Sequence, residues 1–194
     1  MTRIVYLGAS GSFSEQAALA LAERRALADA TFAGARDPAA VVAALIDGEA
    51  ELGVLPVANT SGGLVRETLA ALGGGIELVD ELALPVRFTL WLARPGIELA
   101  SIERVASHPQ AFAQCARTLE RLLPGCARLA QGDTASAARA LSEGGLDERT
   151  AVLASARAGR RYGLFSAAED VHDDPANRTF FALFRRRFSR PRVD

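Results

Sequence analysis

The sequence predicts an α/β protein made of two intertwined lobes with a cleft between them. Short apolar runs alternate with amphipathic segments along all 194 residues, which is typical of α/β folds. Neither an internal repeat nor a low-complexity linker separates one half of the chain from the other. We therefore expect the chain to cross between the lobes twice, with residues 1–82 and 166–194 forming the first lobe and residues 83–165 the second.

The elements expected in the first lobe begin with a strand at residues 4–7 and a helix at residues 13–28. Ser12 and Glu15 have the spacing of a capping box, which fixes the start of that helix. Asp37 precedes a proline, the residue favoured at the first helical position, and so predicts a second helix. A strand at residues 52–57, a helix at 65–72 and a strand at 76–79 follow.

A longer strand at residues 84–93 is expected to carry the chain into the second lobe. Helices are predicted to begin after Asp133 and after Ser155, because Asp and Ser side chains accept hydrogen bonds from the free N–H groups of a first helical turn. The remaining predicted elements are strands at residues 104–106, 127–130, 151–153 and 180–184 and a helix at 109–123.

Composition and charge exclude several classes of function. The chain has 22 arginines and no lysine, which excludes Schiff-base and P-loop chemistry that requires an ε-amine. A net charge of −1 argues against nucleic-acid binding, and the arginine-rich end of the chain, from Arg185 to Arg192, is interpreted as a solvated tail. The histidines and cysteines lack the spacing of metal ligands, so no metal site is expected.

The sequence also indicates a reduced, cytoplasmic protein that does not enter a membrane. A polar, Gly-rich stretch interrupts the apolar start of the chain, which argues against a secretory signal. No run approaches the ~20 uninterrupted apolar residues of a membrane span. Cys115 and Cys126 are expected to be structural thiols.

Three polar clusters share one setting, since each follows an apolar strand and precedes a helix. They lie at residues 8–14, 58–63 and 107–110. Ligands of open α/β sheets collect at the carboxyl ends of strands, where helix N-termini offer free N–H groups to anions. Three such loops around one cleft would suit a small, multiply anionic ligand. The alternative is that each loop only caps its own helix, and His108, directly before Pro109, fits that interpretation too.

Four blocks of the sequence together identify a family. Residues 8–17 read Gly-Ala-Ser-Gly-Ser-Phe-Ser-Glu-Gln-Ala, and residues 107–115 read Ser-His-Pro-Gln-Ala-Phe-Ala-Gln-Cys. Asp-Thr-Ala-Ser-Ala-Ala follows at 133–138, and Asp-Asp-Pro-Ala-Asn-Arg-Thr at 173–179. In order and spacing these blocks resemble the prephenate dehydratases, whose first two motifs read Gly-Pro-Glu-Gly-Thr-Phe-Ser-x-Gln-Ala and Ser-His-Pro-Gln-Ala-x-x-Gln-Cys. The resemblance covers about residues 3–184.

The resemblance implies a carbon–oxygen lyase of phenylalanine biosynthesis, which converts prephenate to phenylpyruvate by loss of carbon dioxide and water. It implies a cytoplasmic homodimer that acts on a small dicarboxylate without cofactor or metal, with a fold similar to that of type II periplasmic binding proteins. Thr179 is expected to be the catalytic residue, hydrogen-bonded to the departing hydroxyl. The expected substrate-binding residues are Ser10, Ser12, Asn59, Thr60, Ser107, His108, Gln110, Thr134, Asn177 and Phe180.

The chain departs from the family pattern in the first loop, where Ala9 and Ser10 replace Pro and Glu, and at two further charged positions. Ala58 stands where the family has Glu in Pro-Ile-Glu-Asn-Ser, and Phe180 stands where it has Arg in Thr-Arg-Phe. We expect the missing cation to weaken the binding of a substrate carboxylate, so that Phe180→Arg raises activity unless Arg178 or Arg66 replaces it. Two alternatives stay open: a relative that decarboxylates prephenate but retains the hydroxyl, and a non-catalytic module that binds small anions.

The resemblance also bears on regulation. Family members commonly carry a C-terminal ACT domain that binds phenylalanine. Only about ten residues follow the last predicted strand, whereas an independent domain needs at least ~50. We therefore expect that phenylalanine does not regulate this chain directly.

Overall fold

The computed structural model describes residues 1–187, whose strands form two sheets. The strands of the first sheet are β1 (Arg3–Leu7), β2 (Thr31–Ala35), β3 (Leu52–Asn59), β4 (Gly63–Leu64), β5 (Ile76–Pro85) and β11 (Arg178–Arg186). They have the order β2-β1-β3-β11-β5, and β4 pairs with β3. Strand β1 runs parallel to its neighbours β2 and β3, whereas β11 runs antiparallel to its neighbours β3 and β5.

The second sheet has the order β10-β6-β9-β7-β8. Its strands are β6 (Thr89–Leu92), β7 (Arg104–Ser107), β8 (Ala127–Ala130), β9 (Thr150–Ala154) and β10 (Phe165–Ala168). The central strand β9 is buried along its whole length. Such a strand reads as one continuous apolar run, which is why the sequence reveals it clearly.

Helices cover both faces of each sheet. They are α1 (Phe13–Arg24), α2 (Pro38–Ile46), α3 (Arg66–Ala71), α4 (Pro109–Gln114), α5 (Ala116–Leu122), α6 (Thr134–Ser142) and α7 (Ala156–Arg161), with a 3₁₀ turn at Leu99–Ser101. Helix α1 packs on the face of the first sheet that carries Ile4 and Tyr6, and α2 packs on the face that carries Val5. Adjacent residues of a strand point to opposite faces, so this alternation builds two cores. No helix within residues 1–187 is long and apolar enough to cross a membrane.

Two segments, residues 86–88 and 169–177, carry the chain between the sheets. They run side by side, because the Val86 N–H donates to the Asn177 carbonyl at 3.0 Å and the Val171 N–H donates to the Phe88 carbonyl at 2.9 Å. The sheets therefore divide the chain a few residues beyond the lobe boundaries expected from the sequence. Strand β5 continues to Pro85, and β10 pairs with β6 of the second sheet.

Several elements differ from the sequence prediction. Strands β2 and β10 were not predicted, because each is a partly exposed edge strand without an apolar run. The predicted strand at 84–93 is interrupted where the chain crosses between the sheets, and α1 ends at Arg24 rather than at residue 28. Arg185 and Arg186 belong to β11 rather than to the solvated tail that was expected. The rest of that expected tail, residues 188–194, lies outside the described part of the chain.

The predicted helix at 109–123 is broken at Cys115 by a carboxylate from the returning crossing. Asp173 accepts hydrogen bonds from the N–H groups of Arg117 and Thr118, at 2.8 and 3.0 Å, and from the Thr118 hydroxyl. Burial raises the pKa of the Asp173 carboxyl, but these donors outweigh burial and hold it below its ordinary value. A second helix start thus forms inside what the sequence presents as one helix.

A buried carboxylate joins the two lobes at their junction. Glu15 of α1 accepts hydrogen bonds from the Gly11 N–H at 2.8 Å, from the Tyr6 hydroxyl at 3.2 Å and from Arg157 of α7 at 2.9 Å. Burial raises the pKa of the Glu15 carboxyl. The hydrogen bonds from Arg157 and Gly11 lower this pKa by more than burial raises it, so it lies below its ordinary value. The ionised carboxylate is therefore the form that holds the lobes together.

Replacing Glu15 by Gln is expected to reduce the free energy of unfolding by about 1–3 kcal/mol, because hydrogen bonds to a charged group are lost and Arg157 loses its partner. Since the pKa of Glu15 is lower in the folded protein, its contribution is fully present above the unfolded pKa and disappears as the pH falls through the folded pKa. Urea unfolding at a series of pH values should show the wild type and Glu15→Gln converging in acid. Glu23→Gln, an exposed change in the same helix, is the control, and a difference that persists unchanged in acid would contradict the assignment.

Candidate active site

A cleft of about 470 Å³ opens between the two sheets. The ends of β1 and β3, strand β11 and the starts of α1, α4 and α6 all contribute to it, so both lobes are needed to form it. An adjoining cavity shares part of this lining and adds Asn59 and Arg66. The cleft is lined by Leu7, Gly8, Ser12, Phe13, Ser14, Arg36, Pro56, Val86, Phe88, His108, Gln110, Ala111, Gln114, Gly132, Asp133, Thr134, Ser136, Thr179 and Phe181.

A β-bulge in β3 turns Asn59 toward the cleft. Strand β11 pairs Phe181 with Pro56 and Phe180 with Ala58, so Val57 has no partner across the ladder. Without that extra residue, the alternation that places Val54 in the α1 core would put Asn59 on the opposite face of the sheet. Bulges re-aim side chains in this way, and Pro56, which has no N–H to donate, is well suited to one.

Asn59 and Thr179, which the sequence assigned to one cleft, are in direct contact. The Asn59 Nδ2 group donates a hydrogen bond to Thr179 Oγ1 at 2.9 Å. The orientation of the amide is fixed, because its Oδ1 atom accepts from the N–H groups of Ser61 and Gly62 at 2.9 and 3.0 Å. Thr179 Oγ1 is thus an acceptor in this pair, which leaves its hydroxyl proton free to be donated into the cleft.

A chain of polar side chains behind this pair orients Gln114. The Thr60 hydroxyl donates to Asn177 Oδ1 at 3.0 Å, and Asn177 Nδ2 donates to Gln114 Oε1 at 2.7 Å. Because the oxygen of Gln114 is occupied, its NH₂ group is the part available to a ligand in the cleft. Thr60 and Asn177 therefore act through Gln114 rather than at the cleft surface.

The first loop presents the start of α1 to the cleft. The Ser12 hydroxyl caps the helix by accepting from the Glu15 N–H at 3.2 Å. The Phe13 and Ser14 N–H groups have no partner among residues 1–187, as is usual in a first helical turn, and both residues line the cleft. Together with the helix dipole, they favour an anion at this end of the cleft.

The second lobe contributes two further helix starts. His108 Nδ1 accepts from the Gln110 N–H at 3.2 Å, which places the proton of the neutral ring on Nε2 as a donor. The Asp133 carboxylate caps α6 by accepting from the N–H groups of Ala135 and Ser136, both at 2.8 Å. Gly62 allows Gln110 to approach closely, since a Cβ atom there would lie 2.0 Å from the Gln110 Nε2 atom and would displace the end of that side chain.

Arg36 is the cation of the cleft that sequence reasoning missed. It follows the unpredicted strand β2, lines both the cleft and the adjoining cavity, and donates from Nε to Asp37 at 3.0 Å. Its side chain is 88% exposed, so the rest of the guanidinium is accessible to a ligand. Of the two arginines suggested by the sequence, Arg66 lines only the adjoining cavity, and Arg178 is exposed outside both.

The structure places the other predicted site residues in three groups. The cleft lining includes Ser12, His108, Gln110, Thr134 and Thr179, and the adjoining cavity includes Asn59. Ser10 lies in a neighbouring cavity, where its hydroxyl contacts Tyr6 at 3.2 Å. Three predicted residues are engaged elsewhere, because Ser107 donates to the Leu153 carbonyl in the core, and Thr60 and Asn177 bond to each other. None of these three lines the cleft.

Phe180 also lies outside the cleft, on the opposite face of the sheet from Thr179. It is 41% exposed, and its partners across the ladder are Ala58 and Ala83. Ala58 and Phe180, two of the positions at which the chain departs from the family pattern, are thus cross-strand neighbours that point away from the cleft. The expectation that the missing arginine removes a cation from the substrate site is therefore wrong, because neighbouring residues of β11 point to opposite faces.

Thiol and metal chemistry find no support within residues 1–187. Cys115 is fully buried, and burial raises the pKa of its thiol to about 12, so the reactive thiolate is absent at neutral pH. No group of three or more His, Cys, Asp or Glu side chains in this part of the chain could hold a metal ion. The described lining of the cleft offers hydrogen-bonding groups, the Arg36 guanidinium, the His108 imidazole, the Asp133 carboxylate and a largely apolar wall.

Comparisons with known proteins agree with these features. The prephenate dehydratase family model matches residues 4–189. Arogenate dehydratase 1 of Petunia hybrida is 42% identical over 146 residues, which are 75% of this chain and 34% of that protein. The prephenate dehydratase of Mycolicibacterium gilvum is 36% identical, with 94% of this chain and 61% of that protein covered. The crystal structure of prephenate dehydratase from Arthrobacter aurescens, in complex with L-Phe, has a TM-score of 0.82 and 29% identity and covers 99% of this chain and 63% of that one.

The comparisons also bear on the fold and on the extent of the match. A periplasmic substrate-binding protein of an ABC transporter from Coxiella burnetii has a TM-score of 0.52 at 14% identity, with 96% of this chain and 84% of that chain covered. The expected likeness to periplasmic binding proteins is thereby confirmed at the level of the fold. The chain spans 34% of the length of the Petunia relative and 61% of the mycobacterial one.

Gly11 is expected to be irreplaceable because two constraints act on it at once. It has φ +92°, and a Cβ atom there would lie 2.8 Å from the Ala158 Cα atom of α7. Gly48 has φ +75° with open space around it, so Gly48→Ala measures the cost of the backbone conformation alone, about 1–2 kcal/mol. Gly11→Ala should cost about 1–3 kcal/mol more, as overpacking does. Equal losses in urea unfolding of the two variants would show that the contact with α7 is loose.

Proposed function

Because the chain belongs to the prephenate dehydratase family, we propose that its cleft converts prephenate to phenylpyruvate with loss of carbon dioxide and water. This makes it a carbon–oxygen lyase of phenylalanine biosynthesis. The observation that carries the proposal is the Asn59–Thr179 pair, which offers a free hydroxyl proton at the cleft. A homodimer in the cytoplasm is part of the proposal and rests on the family resemblance alone.

In the proposed reaction, the bond between the ring and its carboxylate breaks and releases carbon dioxide. The electron pair of that bond enters the ring while the bond to the ring hydroxyl breaks, and the hydroxyl leaves as water with a proton relayed from solvent through Thr179. Aromatisation of the ring supplies the driving force. A threonine hydroxyl is a weak acid, and the hydrogen bond that it accepts from Asn59 Nδ2 polarises it and strengthens its donation.

The rest of the cleft suits the two carboxylates of such a substrate. The free N–H groups at the start of α1 and the Arg36 guanidinium provide donors and positive charge for the carboxylate that stays. Val86, Phe88 and Phe181 form an apolar wall, where a carboxylate that departs as carbon dioxide is poorly hydrated. Neutral carbon dioxide loses nothing in such surroundings, so the wall favours the product over the reactant.

A second candidate substrate is arogenate, in which an amino group replaces the keto group of the prephenate side chain. The Petunia relative is an arogenate dehydratase, and Asp133 is the one carboxylate that the described part of the chain contributes to the lining of the cleft. An ammonium group would be attracted to Asp133, whereas the dianionic prephenate would be repelled by it. The negative charge of Asp133 is therefore expected to favour the binding of arogenate and to weaken the binding of prephenate.

Thr179→Val preserves the shape of the residue and removes its hydroxyl. We expect it to lower kcat for phenylpyruvate formation about 10²-fold or more, with a smaller change in KM, whereas Thr179→Ser retains most of the activity. The assay is ultraviolet detection of phenylpyruvate from prephenate. Phe180→Arg is the matched control: because Phe180 faces away from the cleft, kcat/KM should stay within about twofold of wild type.

Three outcomes of this assay would count against the proposal. Full activity in Thr179→Val would remove Thr179 from the reaction. A non-aromatic dihydro product would identify a decarboxylase that retains the hydroxyl. Saturable binding of prephenate without turnover would identify a binding module.

Asp133→Asn separates the two substrates, since asparagine caps a helix as well as aspartate does and α6 stays formed. Removing the charge should lower KM for prephenate and raise KM for arogenate, by about 3- to 10-fold in each direction at low ionic strength. Steady-state kinetics with both compounds measures the ratio. Changes of the same sign for both substrates would show that Asp133 acts only as a cap.

A further inference from the structure

A second cavity, of about 630 Å³, lies at the junction of the two lobes and is separated from the cleft by Phe13, which lines both. This rear cavity is lined by Phe13 and Gln16 of α1, by Arg87 of the crossing segment, and by Arg157, Arg160 and Arg161 of α7. We propose that the rear cavity is a binding site for a small polyanion that carries a diphosphate group. The proposal goes beyond the reaction proposed for the cleft and does not depend on it.

The charge of the rear cavity sets it apart from the other large cavities. Among residues 1–187, its lining contains four arginines and no carboxylate, whereas the cleft and its two neighbouring cavities each include at least one aspartate. Arg160 and Arg161 have no acidic side chain within 4 Å among the residues that the structure describes. Arg87 pairs with Asp170 at 3.5 Å and Arg157 with Glu15 at 2.9 Å, so the protein neutralises only part of the positive charge here, and that of Arg160 and Arg161 remains.

Three of the four arginines lie close together in α7, and their mutual repulsion lowers the stability of that helix. Arg157, Arg160 and Arg161 are spaced at i, i+3 and i+4, so their side chains share one face of a short helix. Like charges at this spacing repel each other and destabilise a helix. Glu15 compensates only part of this charge, because it accepts from the Nε atom of Arg157, whose outer nitrogens have no hydrogen-bond partner in the described part of the chain. An anion bound between these side chains would relieve the remaining repulsion.

The size and chemistry of the rear cavity favour a diphosphate over a single carboxylate. Ligand sites of small molecules have volumes of about 300–1,000 Å³, and this one lies within that range. The planar guanidinium group forms paired hydrogen bonds with phosphate oxygens. One carboxylate would neutralise only one of the cations, whereas a diphosphate presents several oxygens and two or more charges to all of them.

The rear cavity also lies where a bound anion would contact both lobes. Arg87 precedes β6 on the crossing segment, and Arg160 belongs to α7, which packs on the second sheet. Arg157 binds Glu15 of the first lobe, and Glu15 in turn holds the Gly11 N–H of the loop that begins the cleft. A diphosphate would compete with Glu15 for Arg157, so the rear cavity and the cleft share a structural link.

Calorimetric titration of the whole chain with inorganic pyrophosphate at low ionic strength tests the proposal. We expect saturable binding of one pyrophosphate per chain. Arg87→Gln together with Arg160→Gln, two exposed residues that line only the rear cavity, should weaken it about tenfold or more. The control carries Arg121→Gln and Arg186→Gln, which remove the same charge from exposed positions elsewhere, and should bind within about twofold of wild type.

Citrate and thermal unfolding complete the experiment. Citrate, a carboxylate polyanion, should bind more weakly than pyrophosphate, and both double variants should unfold at nearly the wild-type temperature. If the first double variant does not fold, Arg160→Gln alone should still weaken binding severalfold. Absence of saturable binding, equal losses in both double variants, or tighter binding of citrate would each overturn the proposal.

Discussion

The candidate site depends on one extra residue in β3. Val57 has no partner in β11, and the resulting bulge reverses the phase of the strand between Pro56 and Asn59. Upstream of the bulge, Val54 points into the α1 core; downstream of it, Asn59 points to the same side and meets Thr179. A regular strand would bury Asn59 against α2 or expose it, and Thr179 would lack a donor. The free proton of Thr179, the fixed amide of Asn59 and the outward position of Ala58 all follow from this single irregularity.

The same bulge explains why two substitutions of charged residues are compatible with an intact cleft. Ala58 and Phe180 are opposite each other in the ladder, on the face away from Thr179. In the family pattern these positions hold a glutamate and an arginine, which would face each other as an exposed pair. Exposed ion pairs contribute about 0–1 kcal/mol, so exchanging both partners for apolar residues costs little stability. These two departures thus lie on the face away from Thr179 and leave the lining of the cleft unchanged.

The sequence revealed the fold class and the three loops around the cleft because both depend on local patterns. Buried strands such as β9 are continuous apolar runs, and capping residues such as Ser12 and Asp133 mark helix starts directly. Arg36 was missed because β2, which positions it, is a half-buried edge strand whose small residues give no apolar signal. The bulge could not be predicted either, since Pro56 alone does not say which side chain will change face. Ser107 shows the opposite case, because it belongs to a recognisable motif and was expected in the site, yet its hydroxyl donates to the Leu153 carbonyl in the core.

Glu15 connects these local features across the lobes. Its carboxylate is held by β1 through Tyr6, by the first loop through Gly11 and by α7 through Arg157. If the lobes separated at this point, Glu15 would keep its two donors from the first lobe, Tyr6 and Gly11, but would lose Arg157, its one charged donor. Helix α7 therefore contacts the loop at the start of α1 in two ways, through the Arg157–Glu15 pair and through the Ser155 hydroxyl, which donates to the Gly11 carbonyl at 2.8 Å. The anion-binding end of the cleft is thus formed by the first lobe and braced by two hydrogen bonds from the second.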